Sequence, residues 1–339
     1  MGLFVLVGRR YATINWSLTL LGPVVVVVAF CVTYTIMPWL IASSNRTGFT
    51  GKDLHKTGTP EIPKIGGIGC FAGVAAALTI SGLLSLDYRL LFAIFLAATL
   101  AVLAGLIDDL FTLRKVALIA LTFLISLPII AFHAGSSRIY LSPFGPQDLG
   151  SVFWVLVPFA FAFLMNGVNI YAGFNGLEAG LGLVSSFSLA TCAVIYGSLE
   201  SAFSLFALAG ALLAFLKWNS FPAKAFIGGS GTFLIGAVLA SSIIAGSIKI
   251  VGIIALFPYF VNFILRAFDR FTWSVGETLP DGTITSREVN ALWAVFMHNS
   301  STNEQQIVRR CVALQVVFGV AAVLFAYYHV TFIIPSLGR

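Results

Sequence analysis

Long apolar runs separated by short polar stretches make up almost all of this 339-residue chain. Ten runs can be marked out, at 17–42, 66–84, 90–107, 116–134, 152–171, 177–196, 201–216, 230–247, 249–268 and 309–334. A helix of about 20 apolar residues crosses the hydrocarbon of a bilayer, so the pattern predicts an all-α polytopic membrane protein with about ten transmembrane helices. The whole of 1–339 reads as a single integral membrane domain. The polar stretches sort by position into two sets, one on each side of the membrane. Residues 45–64, 108–115, 166–180, 217–229 and 269–306 fall on one side, and the connections near 87, 138–150, 197–200 and 247 fall on the other.

Composition agrees with that pattern. Apolar residues make up 59% of the chain and charged residues 9%, which excludes an ordinary soluble domain. Of the 19 Lys and Arg residues, 13 lie on the first side, which the positive-inside bias makes cytoplasmic. Both termini then lie outside, with Arg9 and Arg10 against the trend. The net charge of +6 reflects this bias and implies no nucleic-acid partner. Four scattered cysteines show no metal-ligand spacing. Of the 13 carboxylates, ten belong to the cytoplasmic set: Asp53, Glu61, Asp108, Asp109, Glu178, Asp269, Glu277, Asp281, Glu288 and Glu304. A polar face on one side only, without an internal repeat, argues for a site open to the cytoplasm and against a transporter with a midplane pathway.

Four polar constellations stand on that face. The stretch NGVNIYAGFNGLEAG (166–180) puts Asn166 and Asn169 one helical turn apart, breaks at glycines around Asn175, and restarts at Glu178. Carboxamides are neutral oxygen ligands for Mg²⁺ and donor–acceptor pairs for a base, although single membrane asparagines commonly bond helix to helix. Asp108 and Asp109 close an apolar run and are followed by Arg114 and Lys115. Such a pair suits divalent-metal or base chemistry on a phosphate, and otherwise reads as a helix cap that opposes the dipole. In 45–69, glycines and prolines disfavour regular structure, while Lys52, Lys56 and Lys64 give a basic surface for a nucleotide or for lipid headgroups. Gly66-Gly67 allows close backbone approach to a nucleotide or phosphate as the next run begins, while FIGGSG (226–231) allows either backbone contact with phosphate at a helix N-terminus or tight helix packing. His55 and His298 are solitary and read as structural.

KDLHK (52–56) followed by a proline-rich segment, GLIDD (105–109), NGVNIYAGFNGLEAG (166–180) and FIGGSGTFLIG (226–236) together resemble the polyprenyl-phosphate sugar-1-phosphate transferases, glycosyltransferase family 4. The likeness covers most of the chain and is strongest to the eukaryotic and archaeal branch that uses UDP-GlcNAc and dolichyl phosphate. It implies a membrane enzyme, of the cell membrane or the endoplasmic reticulum. Such an enzyme moves GlcNAc-1-phosphate from a UDP-sugar to a polyprenyl or dolichyl phosphate at the cytoplasmic face, using Mg²⁺ or Mn²⁺; a homodimer is also implied. By position, Asp108 and Asp109 match the catalytic acid pair, and Asn169 a metal ligand. Lys52, Asp53, Leu54, Asn175 and Phe226 match nucleotide-sugar contacts, while Lys115 and Asn166 are set against the lipid phosphate. The chain departs from the family pattern in several places. Gly229 stands where an acid follows Phe-x-Gly, Leu118 where a phosphate-contacting lysine is expected, and Lys64 where a glutamate is expected with Glu61 nearby; Arg266, Arg270 and Arg287 are the basic residues of the last loop. On this reading Gly229→Asp raises activity or lowers the metal requirement. The alternative is a divergent homologue that binds nucleotide-sugar or lipid phosphate without turnover.

Overall fold

The computed structural model describes residues 21–333 except 57, 85–87, 142–144 and 272–275. Arg9, Arg10, Asp87 and the chain ends lie outside the described residues, as does the placement of both termini. The chain is mostly helical: α1 Leu21–Thr47, α2 Gly66–Leu84, α3 Tyr88–Phe111, α4 Lys115–Ile125, α5 Leu127–Ala131, α6 Gly150–Ile170, α7 Leu177–Ile195, α8 Leu199–Asn219, α9 Gly228–Ala245, α10 Lys249–Ala255, α11 Phe257–Phe268 and α12 Glu304–Tyr328.

Eight of these helices are long and apolar enough to span a membrane, among the described residues. The two other expected spans are broken. Lys115–Ala131 is a shorter apolar segment interrupted at Ser126, and α10 and α11 meet at a bend of 63°. A proline follows each break, Pro128 and Pro258 in the first turn of the second piece. Proline has no N–H to donate to the preceding turn and its ring crowds that turn's carbonyl, so a continuous apolar run becomes two helices. Among the described residues the ten apolar runs therefore give eight helices of spanning length, or nine spans if the bent pair crosses as one.

The loops also hold more order than glycine and proline suggested. Thr50–Lys52 pairs antiparallel with Glu61–Pro63, so the basic 45–69 stretch is a short hairpin standing beside α1. Two further hairpins pair Arg138–Leu141 with Gly145–Asp148 and Glu277–Thr278 with Ile284–Thr285.

Helix α9 is the axis of the bundle, with 94% of its spanning window buried. Its sequence, GGSGTFLIGAVLASSIIA, is rich in small residues, which let backbones close in where lipid supplies no hydrophobic drive for helix association. It packs against α3, α6 and α2, while α8 lies against α7 and α1, and α12 against α7. At its N-terminal end three glycine segments touch. A Cβ at Gly67 would overlap Gly231 and the Ser230 hydroxyl, and one at Gly105 would overlap the Gly229 carbonyl. The amides of Gly66 and Gly67 donate to the carbonyls of Phe226 (2.9 Å) and Ile227 (2.8 Å). Gly66-Gly67 is thus a packing device that brings α2, α3 and α9 together at the acid pair.

Candidate active site

One cavity of about 950 Å³ opens where α3, α4, α6, α9 and the 50–63 hairpin converge. The ten residues that the resemblance matched to the site all line it: Lys52, Asp53, Leu54, Asp108, Asp109, Lys115, Asn166, Asn169, Asn175 and Phe226. These residues span 175 positions of sequence, from 52 to 226, so their convergence is a product of the fold. Apolar side chains line it as well, among them Leu118, Ile119, Phe123, Phe159, Phe163 and Phe263. The polar lining can hold a charged head, and the apolar lining can hold hydrocarbon.

The two acids have different surroundings. Asp108 lies in the last turn of α3 and its Oδ1 accepts from the Leu113 amide (2.9 Å), which ties down the chain as it leaves the helix. Asp109 is turned the other way, its side chain 2% exposed. It accepts from the Gly229 amide at Oδ1 (2.9 Å) and from the Ser230 amide at Oδ2 (3.1 Å), and Lys64 Nζ lies 2.6 Å from Oδ1. A carboxylate at a helix N-terminus satisfies orphan amides and meets the positive end of the dipole. The anion seat expected at FIGGSG is therefore occupied by Asp109 of the chain itself, and no phosphate is needed to explain the glycines there.

The structure also revises the expectation for Gly229. A Cβ at that position would lie 2.9 Å from Asp109 Oδ1 and 3.1 Å from the Gly105 carbonyl oxygen. An aspartate there would crowd Asp109 where it bonds the helix, so a simple gain of activity no longer follows.

The 166–180 stretch behaves as its sequence suggests. Helix α6 ends at Ile170, Gly173 and Gly176 take positive φ (146° and 86°), and α7 begins at Leu177 with Glu178 in its first turn. Left-handed backbone of this kind suits glycine, which has no Cβ to clash. Asn166 Nδ2 donates back to the Ala162 carbonyl (2.8 Å), and Asn169 Oδ1 accepts from Thr232 Oγ1 (3.0 Å). Thr232 thereby orients Asn169 from α9.

Asp53 and Asn175 form part of a buried lock. Asn175 Nδ2 donates to Asp53 Oδ2 (3.1 Å), and the Asn175 amide donates to Glu304 Oε1 (2.6 Å). Lys56 pairs with Glu304 and lies 3.7 Å from Asp53. His55 stacks on Phe174 with centroids 4.7 Å apart, and Phe174 meets Trp293 edge-on. Asp53, His55, Asn175 and Glu304 are all buried. The network clamps the hairpin, the 173–176 turn and the start of α12 into one wall of the cavity. Sequence reasoning missed Glu304 and Lys56 as a pair, since they lie 248 positions apart. Only their common place in the set of loops read from charge as cytoplasmic hinted at it. Glu304→Ala should remove the partner of Lys56 and of the Asn175 amide, costing about 3 kcal/mol as for breaking a buried pair. A thermal-unfolding midpoint equal to that of the parent protein would contradict this.

A divalent metal was expected on Asn169, beside Asp108 and Asp109 as the catalytic acid pair. Among the described residues no group of three or more His, Cys, Asp or Glu could hold a metal ion. Mg²⁺ seldom uses an all-protein cage; it takes one or two carboxylates and completes its shell with water and substrate phosphate. The oxygen donors of Asp108 and Asn169, both lining the cavity, fit that habit, with Asp109 already engaged by Lys64 and two amides.

The family model described as glycosyl transferase family 4 matches residues 91–247. A protein of Saccharolobus solfataricus is 32% identical over 306 residues, covering 88% of this chain and 95% of the relative. One from Sulfolobus acidocaldarius is 30% identical over 316 residues, 90% of this chain and 96% of the relative. Both carry the provisional name UDP-N-acetylglucosamine–dolichyl-phosphate N-acetylglucosaminephosphotransferase. A decaprenyl-phosphate N-acetylglucosaminephosphotransferase of Mycolicibacterium smegmatis is 30% identical over 246 residues, 65% of this chain and 59% of the relative. With near-complete coverage at this identity, and with the matched segment running from α3 through α9 around the cavity, the chain belongs to glycosyl transferase family 4.

Proposed function

We propose that this integral membrane protein transfers N-acetylglucosamine 1-phosphate from UDP-GlcNAc to dolichyl or another polyprenyl phosphate and releases UMP. The carrying observation is one cavity lined both by an acid pair and asparagines and by apolar, largely aromatic side chains. That combination fits a reaction whose one substrate is a nucleoside diphosphate sugar and whose other is a phosphate on a long hydrocarbon. The names of the two archaeal relatives support the choice of sugar and acceptor.

In the reaction, an oxygen of the lipid phosphate attacks the β-phosphorus of the UDP-sugar. The bond from that phosphorus to the bridging oxygen breaks, UMP leaves with the electron pair, and a new diphosphate links lipid and sugar. Any proton on the attacking phosphate passes to Asp108, the acid whose carboxylate is not engaged with helix α9. The protein has little covalent work to do, and positioning and charge neutralisation carry the rate. Phe226 packs the base, while Asn175, Asp53, Lys52 and Leu54 border the nucleotide-sugar. Asn166 and Lys115 sit towards the acceptor phosphate. Mg²⁺, or Mn²⁺ in its place, would be held by Asp108 and Asn169 and would neutralise charge on the diphosphate. We place the site at the cytoplasmic face, on the asymmetry of Lys and Arg between the two sets of loops. Basic residues of that face would also meet lipid headgroups, and a homodimer follows the family resemblance.

Purified protein given UDP-GlcNAc and a polyprenyl phosphate should release UMP with Mg²⁺ and lose that activity in chelator. Release without the lipid acceptor, or none with it, would count against the reading.

A further inference from the structure

Lys64 reads in the sequence as one more basic residue of a surface loop, and the fold gives it a fixed place. Its root is held by the hairpin, through its amide on the Phe49 carbonyl (3.2 Å), and by the start of α2 two residues on. Its stem runs past Gly228 and Gly51: a Cβ at Gly228 would lie 3.2 Å from Lys64 Cγ, and one at Gly51 would lie 3.8 Å from Lys64 Cδ and 3.4 Å from the Phe226 ring. Its ammonium reaches Asp109 at 2.6 Å, yet the side chain stays 34% exposed and lines the cavity.

The other cations of that cavity are placed differently. Lys52 and Lys115 are exposed, and Arg266 is buried over the Trp293 ring, 5.3 Å from its centroid. An ammonium has three donors. Lys64 is held in one place by a buried acid and by glycines that leave room for its stem, beside the Phe226 ring. The two amides at the N-terminus of α9 are filled by Asp109, so they leave Lys64 as the positioned positive charge next to the acid pair.

We infer that Lys64 is the diphosphate-binding residue of this site, with Asp109 as its positioning partner, and that it gives the protein affinity for a nucleoside diphosphate without divalent metal. This rests on the reading of the cavity as a nucleotide-sugar site. Charge-assisted bonds to phosphate from a side chain that is already ordered lose little entropy on binding. Lys64 then helps carry the charge that a metal would otherwise neutralise alone.

The test is equilibrium binding in chelator, with UDP, uridine and inorganic pyrophosphate as probes of the full-length protein. The parent protein should bind UDP and pyrophosphate. Lys64→Met should weaken both at least tenfold and leave uridine unchanged, while Lys64→Arg should stay within about threefold. Unchanged uridine binding in Lys64→Met guards against misfolding as the cause of the loss. Equal UDP affinity in Lys64→Met and parent would overturn the assignment, as would failure of the parent to bind pyrophosphate and UDP without metal. Lys64-dependent binding of pyrophosphate with no binding of UDP or uridine would keep the phosphate role and remove the nucleotide reading.

Discussion

Asp108→Asn should reduce turnover by about 10²–10⁴-fold, the usual loss for a general acid–base group, while leaving thermal stability near that of the parent. The carboxamide oxygen of the substituted side chain can still accept from the Leu113 amide, the one hydrogen bond that the Asp108 side chain makes among the described residues. Asp109→Asn should instead lower both turnover and stability. Its carboxylate holds the first turn of α9 by two amides and neutralises Lys64, and an amide group offers one acceptor oxygen where three donors converge. Breaking a buried pair costs about 3–5 kcal/mol, but Lys64 is a third exposed and water recovers part of its charge, so about 2 kcal/mol is expected. Thermal unfolding in detergent beside UMP release separates the two variants. Equal stability of the two would show that Asp109 does not anchor the helix.

Gly229→Asp should destabilise the protein in chelator and recover on adding Mg²⁺. The new Cβ falls against Asp109 Oδ1 and the Gly105 carbonyl, and the new carboxylate lies in the same small space as Asp109. Two like charges about 4 Å apart repel by ~4 kcal/mol at an effective dielectric of 20. A divalent cation between them would reverse the sign of that interaction. The expected signature is a fall in the unfolding midpoint without metal that closes over a Mg²⁺ titration, with the parent much less responsive. A variant as stable as the parent in chelator would mean that Asp109 gives way freely, and would restore the simpler expectation of improved activity.

The residues that line the cavity were more legible in the sequence than the helix breaks and hairpins around it. Asp108, Asp109, Asn166, Asn169 and Asn175 were legible because polar residues at the ends of membrane helices are costly and rare, Phe226 was named only through the family resemblance, and all of them line one cavity. The helix breaks at Gly173 and Gly176 were legible for the same reason that glycines take left-handed backbone. The breaks at Ser126 and Leu256 were not, since hydropathy sums over a window and gives a single proline little weight, so Pro128 and Pro258 disappeared into apolar runs. The hairpin at Thr50–Lys52 and Glu61–Pro63 was missed because three-residue strands carry no usable periodicity. The roles of Glu304 and Lys64 escaped for another reason. Each gains its role from a partner far away in the chain, Asn175 and Lys56 for one and Asp109 for the other, and spacing cannot show such a partner. The glycines of FIGGSG had two readings, phosphate approach and helix packing, while Gly66-Gly67 was read only as allowing close approach to a nucleotide or phosphate. The contacts among Gly67, Gly105, Gly229 and Gly231 support packing, with Asp109 as the anion on the helix.

The most direct measurement follows the β-phosphate. UDP-GlcNAc labelled with ³²P at that position is incubated with the purified protein, a polyprenyl phosphate and Mg²⁺, and the lipid and aqueous phases are separated. Sugar 1-phosphate transfer puts the label in the lipid phase in step with UMP release. Label that stays in the water as UDP, with or without sugar on the lipid, would contradict the proposed reaction.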